Sequence, residues 1–361
     1  MRVADLFIDG LGCYLPRPYP ADRAVAEGRY AEDEWRAGGW TGAAVAGDVS
    51  PPEMAVEAAR TALERSAHPA ADIALVLHAS LHEQGPELWT PHQYVLRHAV
   101  GTRVPAMEVR QGCNAALGAM ELAHGHLSAD PSRTAALVTA AENFGTERVD
   151  RWRYQSGARM KRPSVLGDAA TAVVLSTRGG FARVLSLVSG SLPELEEMNR
   201  PRGPLFPPRR TRTGRIDLVA RMLDYARSDP GAATLARKAV DAARTETGLR
   251  AIEDAGLRPA DITRVTHVLS GGPEYIRSVL EPLGIDPARG VLEFGRALGH
   301  MTTSDHFAAL HHLVETRQVG PADRVLMLNN SFGVSLFAAV VEITATPSWA
   351  TGTPSPYKEW T

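Results

Sequence analysis

The order of the predicted elements constrains the fold most, because short apolar segments alternate with helical ones in a similar order in both halves of the chain. Apolar residues at helical spacing over 52–66 predict a helix, and the apolar run 104–109 predicts a buried strand. Strands joined through helices are typical of an α/β fold with crossover connections. The other predicted strands are 3–11, 73–77, 135–140, 181–189, 265–269, 324–328 and 336–343, and the other main helices are 92–99, 232–255 and 304–314.

Two segments interrupt this alternation. Residues 16–51 contain several prolines and glycines and predict a loop or cap, while residues 191–231, rich in Pro and Arg, predict an insertion outside the core. With 44% hydrophobic residues, the 361-residue chain suffices for one large core or two fused halves. The repeated order indicates an internal duplication, with halves at 1–178 and 179–361.

The composition excludes several functional classes. The net charge of −2 gives no sign of a nucleic acid or an anionic membrane as partner. No apolar run approaches the ~18–20 residues of a membrane span, and the N-terminus lacks the apolar stretch of a signal peptide. The two cysteines, Cys13 and Cys113, lie in different segments without metal-ligand spacing, so we predict neither a disulfide nor a metal site. We expect a cytoplasmic, reducing location.

Cys113 is the first candidate for chemistry. It follows the strand 104–109 and a tight Gln111-Gly112 turn, and it is predicted in the first turn of a helix rich in Ala, Leu and Met. The free N–H groups and the dipole at a helix N-terminus favour the thiolate, which is the nucleophilic form. The alternative is a buried structural cysteine, so the interpretation depends on what else the chain offers.

Several segments together resemble the thiolase superfamily, and within it the ketoacyl-ACP synthase III branch. They are MAVEAARTAL at 54–63, MEVRQGCNAA at 107–116, VTAAE at 138–142 and LGDAATA at 166–172. The resemblance implies a five-layer α-β-α-β-α fold built from two duplicated βαβ-type halves, and a homodimer. It also implies an acyl-phosphopantetheine thioester as donor, on acyl carrier protein or coenzyme A, and no tightly bound cofactor.

The chain departs from the condensing enzymes of that family at two motifs. The family's His-Gln-Ala-Asn motif is replaced by LSGGPE at 269–274, and its Gly-Asn motif is replaced by Gly299-His300. Decarboxylative condensation uses the missing His and Asn to stabilise an enolate oxygen, so we expect decarboxylation to be weak or absent. The resemblance then implies an acyltransferase of antibiotic or polyketide pathways. It would transfer an acyl group from Cys113 to a hydroxyl of a small natural-product acceptor, with an amine as the alternative.

The resemblance also suggests roles for individual residues. His300 would act as the general base, and Asp305, five residues later, would orient its imidazole. The alternative for Asp305 is a helix N-cap. The oxyanion hole would consist of the N–H groups of Cys113 and Gly333, although Gly333 is also explained as a plain turn glycine.

The remaining candidates concern substrate binding. Arg209 and Arg210, in the arginine-rich loop 200–215, would hold a carrier protein or a phosphopantetheine phosphate, unless the loop is simply solvated. The family's coenzyme A-gripping motif is not clear in RAGGWTG at 36–42, which favours a carrier protein as donor. His267, Asn330 and Trp89 are weaker candidates for the site or its pocket.

Two further functions stay open at this point. One is a decarboxylative condensing enzyme that primes a polyketide or fatty acid chain. The other is a non-catalytic subunit that binds a carrier protein and has kept only the fold. The coincidence of Cys113 with His300 favours an enzyme that works by a ping-pong route.

Overall fold

The structure is a computed structural model, which describes residues 1–147, 149–152, 164–200, 204–206, 218–228, 230–331 and 334–353. The strands are β1 (Phe7–Tyr14), β2 (Pro18–Pro20), β3 (Gly42–Ala44), β4 (Ile73–Ala79), β5 (Ala106–Val109), β6 (Ala135–Glu142), β7 (Ala169–Ser176), β8 (Ala182–Ser191), β9 (Arg264–Thr266), β10 (Arg324–Asn330) and β11 (Ser335–Ile343). The helices are α1 (Ala21–Ala26), α2 (Glu32–Gly38), α3 (Pro51–Glu64), α4 (Pro91–Val95), α5 (Ala115–Ser128), α6 (Leu218–Ser228), α7 (Pro230–Asp254), α8 (Pro273–Leu280), α9 (Leu292–Leu298) and α10 (Asp305–Glu315).

The large sheet has the strand order β5-β4-β6-β7-β1-β8-β11-β10-β9. On one side of the β1–β8 junction, β4 runs parallel to β5 and β6, and β7 runs antiparallel to β6 and β1. On the other side, β11 runs antiparallel to β8 and β10, and β10 runs parallel to β9. Strands from before residue 178 therefore form one half of the sheet and later strands form the other. That the halves arose by duplication stays a prediction.

Helices cover both halves of the sheet and also separate them. Helix α3 packs on β1, β6 and β7 from outside, and α7 packs on β8, β10 and β11. Between the two halves lie α5 and α10, which contact strands and contribute to the largest apolar core. Strands covered on both faces are mostly apolar, and β6 and β7 are buried at every position. These are the layers of the predicted α-β-α-β-α fold, which is confirmed.

The structure sharpens one prediction and corrects two. Residues 16–51, predicted as a loop or cap, form a cap that contains β2, α1, α2 and β3, and their aromatic residues enter a small core in which Tyr30 stacks on Trp152 at 5.4 Å. The segment 191–231, predicted as an insertion outside the core, contains the helix α6, and Leu195 and Tyr225 from it join a small apolar cluster with Ala236. The strand predicted at 265–269 ends at Thr266, because the Leu269 N–H turns away to donate to Asp305 Oδ2 at 2.9 Å.

Candidate active site

Cys113 lies in the turn that joins β5 to α5 and is only 3% exposed to solvent. The helix begins at Ala115 with Asn114 as N-cap, so the prediction that Cys113 occupies the first helical turn is wrong by two residues. The turn closes locally, since Asn114 N donates to Gln111 O and Ala115 N donates to Gly112 O. The thiol therefore faces the site from just outside the helix, and a neighbouring side chain has to activate it.

That neighbour is His300. Its Nε2 lies 3.3 Å from the Sγ of Cys113, and its Nδ1 lies 2.6 Å from Oδ2 of Asp305. All three residues are buried, with Asp305 inaccessible to solvent. A nucleophile, a base and a carboxylate that orients the base thus form one chain of hydrogen bonds, the arrangement used for nucleophilic acyl transfer. The structure brings together Cys113, His300 and Asp305 as the sequence predicted.

Asp305 is held firmly by backbone groups. Met301 N donates to its Oδ1 at 2.7 Å, and Leu269 N and His300 Nδ1 both donate to its Oδ2. The N-cap of α10 is Ser304, so the alternative reading of Asp305 as N-cap fails. The carboxylate accepts N–H groups from the Gly-His loop and from the segment that replaces the family's His-Gln-Ala-Asn motif.

The charges around His300 favour its protonated form. Burial acts against the imidazolium, but the charges and hydrogen bonds of Asp305 and Cys113 outweigh burial and raise the pKa of His300 well above its ordinary value. An imidazolium beside a cysteine stabilises the thiolate. His300 is therefore the side chain through which the site could activate Cys113.

The backbone around His300 is fixed by the segment that contains Gly167. His300 N donates to Val165 O at 2.8 Å, and Gly167 N donates to His300 O at 3.1 Å. A Cβ on Gly167 would lie 2.0 Å from Leu298 O, so only glycine permits this close approach. One of the segments that carried the family resemblance, 166–172, thereby fixes the backbone of His300.

The segment 329–335 binds the nucleophile turn through side chains that the sequence analysis missed. Asn329 Nδ2 donates to Cys113 O at 3.2 Å, and Cys113 N donates to Ser331 Oγ at 2.7 Å. Asn114 Nδ2 donates to both the carbonyl and the hydroxyl of Ser335. The polar composition of 329–335 was the available signal, but the prediction chose Asn330, which instead accepts from Arg244 Nη1 at 3.2 Å.

The other candidates divide into two groups. Gly333, Arg209 and Arg210 lie outside the described residues, so their roles stay predictions. His267 is a buried core histidine whose pKa is lowered by burial; its Nδ1 donates to Val268 O and its Nε2 accepts from Val291 N. It does not contact Cys113.

A cavity of ≈330 Å³ lies between the cap segment and the loop 268–274, and it is lined by none of the triad residues themselves. Its wall includes Trp40, Gly272, Tyr275 and Leu269, the residue whose N–H binds Asp305. Burial, with smaller contributions from Asp305 and Cys113, raises the pKa of Tyr275 to about 12, so its hydroxyl keeps its proton at neutral pH. A larger cleft of ≈500 Å³, between α8, α9 and α10, contains none of the triad residues.

The two glycines at this cavity have different constraints. A Cβ on Gly271 would lie 2.2 Å from Gly38 O and 2.7 Å from the Trp40 ring, whereas a Cβ on Gly272 would meet nothing within 4 Å. Gly271 allows the cap segment to pack on this loop. Gly272 leaves open space in the wall of the cavity.

We therefore expect Gly271→Ala to lower the free energy of unfolding by about 1–3 kcal/mol, because the added methyl group overpacks the contact with Gly38. The matched variant Gly272→Ala should cost below about 1 kcal/mol, the cost of a poorer N-cap for α8. Urea titration of both variants measures the difference. Equal losses would show that the glycines are equivalent.

Comparisons with known proteins identify the family of the chain. Residues 107–193 match the family model of 3-oxoacyl-[acyl-carrier-protein] synthase III, and residues 252–343 match the model of its C-terminal part. The structure of a protein described as the acyltransferase ChlB3 is 38% identical, with 96% of this chain and 99% of that chain covered and a TM-score of 0.87. The chain belongs to the ketoacyl-ACP synthase III-like family of the thiolase superfamily.

More distant structures share the fold. The 3-oxoacyl-[acyl-carrier-protein] synthase III of Aquifex aeolicus is 21% identical, with 93% and 99% of the chains covered and a TM-score of 0.75. OleA of Xanthomonas campestris, bound with cerulenin, is 17% identical, with 95% and 98% covered and a TM-score of 0.70. The comparison with curated protein sequences found no match.

No helix in the described ranges is long and apolar enough to cross a membrane. The chain is thus a ketoacyl-ACP synthase III-like enzyme of a family of condensing enzymes and acyltransferases.

Proposed function

We propose that this enzyme is an acyltransferase that moves an acyl group, by a ping-pong route through acyl-Cys113, from an acyl carrier protein or coenzyme A thioester to a hydroxyl of a small natural-product acceptor. An amine is the second acceptor class. The chain of hydrogen bonds from Cys113 through His300 to Asp305 is the observation that carries the proposal. It contains a nucleophile, a base within reach of it, and a carboxylate that orients the base.

In the first step the Cys113 thiolate attacks the carbonyl carbon of the donor thioester. The new C–S bond forms, the bond to the pantetheine sulfur breaks, and the His300 imidazolium gives its proton to that leaving sulfur. The developing oxyanion needs N–H donors close to the nucleophile, and the backbone N–H of Cys113 itself is one such donor. The products are acyl-Cys113, a free pantetheine thiol and neutral His300.

In the second step the acceptor hydroxyl attacks the acyl-Cys113 carbonyl. His300 takes the hydroxyl proton, the C–O bond forms, and the Cys113 thiolate leaves. Formation of the acyl-enzyme removes the Cys113 charge, which is one of the causes that raise the His300 pKa. The pKa of His300 therefore falls when Cys113 is acylated, so that the imidazole becomes a base at the step that needs one.

Two features favour transfer to a heteroatom over condensation with a malonyl unit. Gly271 and Gly272 stand in the segment where condensing enzymes of the family carry a donor to the enolate oxygen, and neither glycine has a side chain to donate. Gly272 instead lines the ≈330 Å³ cavity, whose size suits a small acceptor and whose wall includes Leu269, the residue that donates to Asp305.

The donor and the quaternary structure are proposed on other features. Arg36, in the segment where the family grips coenzyme A, pairs with Glu32 at the surface, which favours a carrier protein as donor. The edge strand β5 pairs only with β4 among the described strands, and Met107 on it is 51% exposed. Leu88, on the nearby loop, is 97% exposed. An open apolar edge of this kind supports the proposed homodimer.

The test is mass spectrometry of the intact protein after incubation with acyl thioesters of N-acetylcysteamine, coenzyme A and acyl carrier protein. We expect one acyl group per chain, located by peptide mapping on Cys113. Addition of a panel of alcohols and amines should release it as ester or amide. Cys13 is the internal control, because burial raises the pKa of its thiol and keeps it unreactive. The absence of an adduct with every donor would refute the proposal.

The same assay distinguishes the proposed acyltransferase from a decarboxylative condensing enzyme. With a malonyl thioester as second substrate, we expect no CO₂ release above the background of the Cys113→Ala protein. Release of CO₂ coupled to a 3-oxoacyl product would establish condensation instead.

A further inference from the structure

The backbone N–H that the proposed reaction needs for its oxyanion already donates a hydrogen bond to a serine hydroxyl. Cys113 N donates to Ser331 Oγ at 2.7 Å, across 218 residues of sequence. Ser331 is 7% exposed, so this contact lies inside the site rather than at its mouth. In the free enzyme the Cys113 N–H is therefore already paired with an acceptor from the protein, the Ser331 hydroxyl.

The backbone of Ser331 is fixed, so that only its side chain is free to move. Ser331 N donates to Ser335 O at 2.9 Å, and Val334 N donates to Ser331 O at 3.0 Å. Asn114 Nδ2, from the residue after the nucleophile, donates to the same Ser335 carbonyl at 2.9 Å. This turn is thus attached to the nucleophile turn. Release of the Cys113 N–H requires one rotation about the Cα–Cβ bond of Ser331, between staggered rotamers.

We propose that the Ser331 hydroxyl fills the oxyanion position of the free enzyme and is displaced by the carbonyl oxygen of the incoming thioester. The inference rests on the proposed acyl transfer through Cys113. The hydroxyl satisfies a buried amide that would otherwise be unpaired, and it keeps the nucleophile turn in place. It also competes with the substrate for this donor. Ser331 is accordingly a positioning residue that acts through the Cys113 amide.

The hydrogen bond itself is measured in the free protein. Labelling with [15N]cysteine gives two backbone amide signals, because the chain has two cysteines, and Cys13→Ala assigns them. We expect the Cys113 amide proton to move upfield in Ser331→Ala, where the acceptor is lost, and to shift in the wild type when Cys113 is acylated. A Cys113 amide shift that is the same in Ser331→Ala and the wild type would overturn the proposal without any activity measurement.

The competition is measured by the second-order rate constant of acylation. Loss of one neutral hydrogen bond that opposes substrate binding should raise this constant about two- to tenfold in Ser331→Ala, because an untethered water that enters the space is displaced more easily. Ser331→Thr keeps the hydroxyl on a stiffer side chain and should acylate no faster than the wild type. An unchanged or lower constant in Ser331→Ala, or a faster Ser331→Thr, would refute the competition.

These results separate the two proposals. If wild-type protein forms no acyl-Cys113, the proposed function fails, while the amide shift of the free protein still tests the contact of Ser331. If the wild type acylates but Ser331→Ala shows neither the amide shift nor the faster acylation, only the assignment of Ser331 fails. If Ser331→Ala does not fold, the amide shift of wild-type Cys113 before and after acylation decides, since an unchanged shift would mean that the hydroxyl stays in place.

Discussion

Replacement of Cys113 by alanine is expected to lower acyl transfer by about 10⁴-fold or more, because removal of a nucleophile leaves only the contributions of binding and of the oxyanion site. The acyl adduct should disappear at the same time. Rates are measured as ester formation from the donor that gives the fastest acylation of the wild type. The cause is local, since the thiol contacts His300 and the alanine methyl group fits the same space.

Cys13→Ala is the matched control. It removes the chain's other thiol. Cys13 lies on β1, and in the described structure its side chain makes no hydrogen bond to the triad. We expect it to keep the adduct and the wild-type rate within a factor of about two. A Cys113→Ala protein with a tenth or more of wild-type activity would contradict the covalent route and would favour direct transfer or a non-catalytic role for the chain.

Asp305→Asn is expected to lower the rate of transfer by about 10²–10⁴-fold, because an amide does not hold the imidazole in the required tautomer. It should also change the pH dependence. Asp305 raises the pKa of His300 against the effect of burial, so loss of its charge lowers that pKa. The transfer step needs neutral His300 and accelerates as the pH rises through its pKa. The acid limb of the transfer rate should therefore move to lower pH in the variant.

The measurement starts from preformed acyl-Cys113, so that only the second step is followed over pH. Asp286→Asn is the control, because Asp286 accepts Ala288 N at 2.9 Å at the start of a short helical turn and does not contact the triad. It should leave the rate and the pH profile unchanged. If Asp305→Asn slowed the reaction without moving the acid limb, Asp305 would have only a structural role around Met301 and Leu269.

Local sequence patterns were sufficient for the main elements and for the triad. The helix α3 was predicted at 52–66 and extends over Pro51–Glu64, since its apolar residues recur at helical spacing. Cys113, His300 and Asp305 were identified because each lies in a short motif of the family, and the structure places them in contact. The cap segment 16–51 was not predicted as structured, because its strands have three residues each and its helices six and seven. Such short elements are stabilised by the packing of Tyr30 and Trp40 rather than by their own periodicity.

The sequence by itself determined the fold class, the choice of Cys113 as candidate nucleophile and the presence of His300 where the family's Gly-Asn motif has an asparagine. Only the tertiary structure decided which polar groups surround Cys113. Asn329 and Ser331 lie more than 200 residues away from it along the chain, and no local pattern shows which of the neighbouring polar residues at 329–335 faces inward. The structure also distinguished Gly271 from Gly272, because the distance from each Cβ position to Gly38 and Trp40 depends on how the cap packs on the second half of the chain.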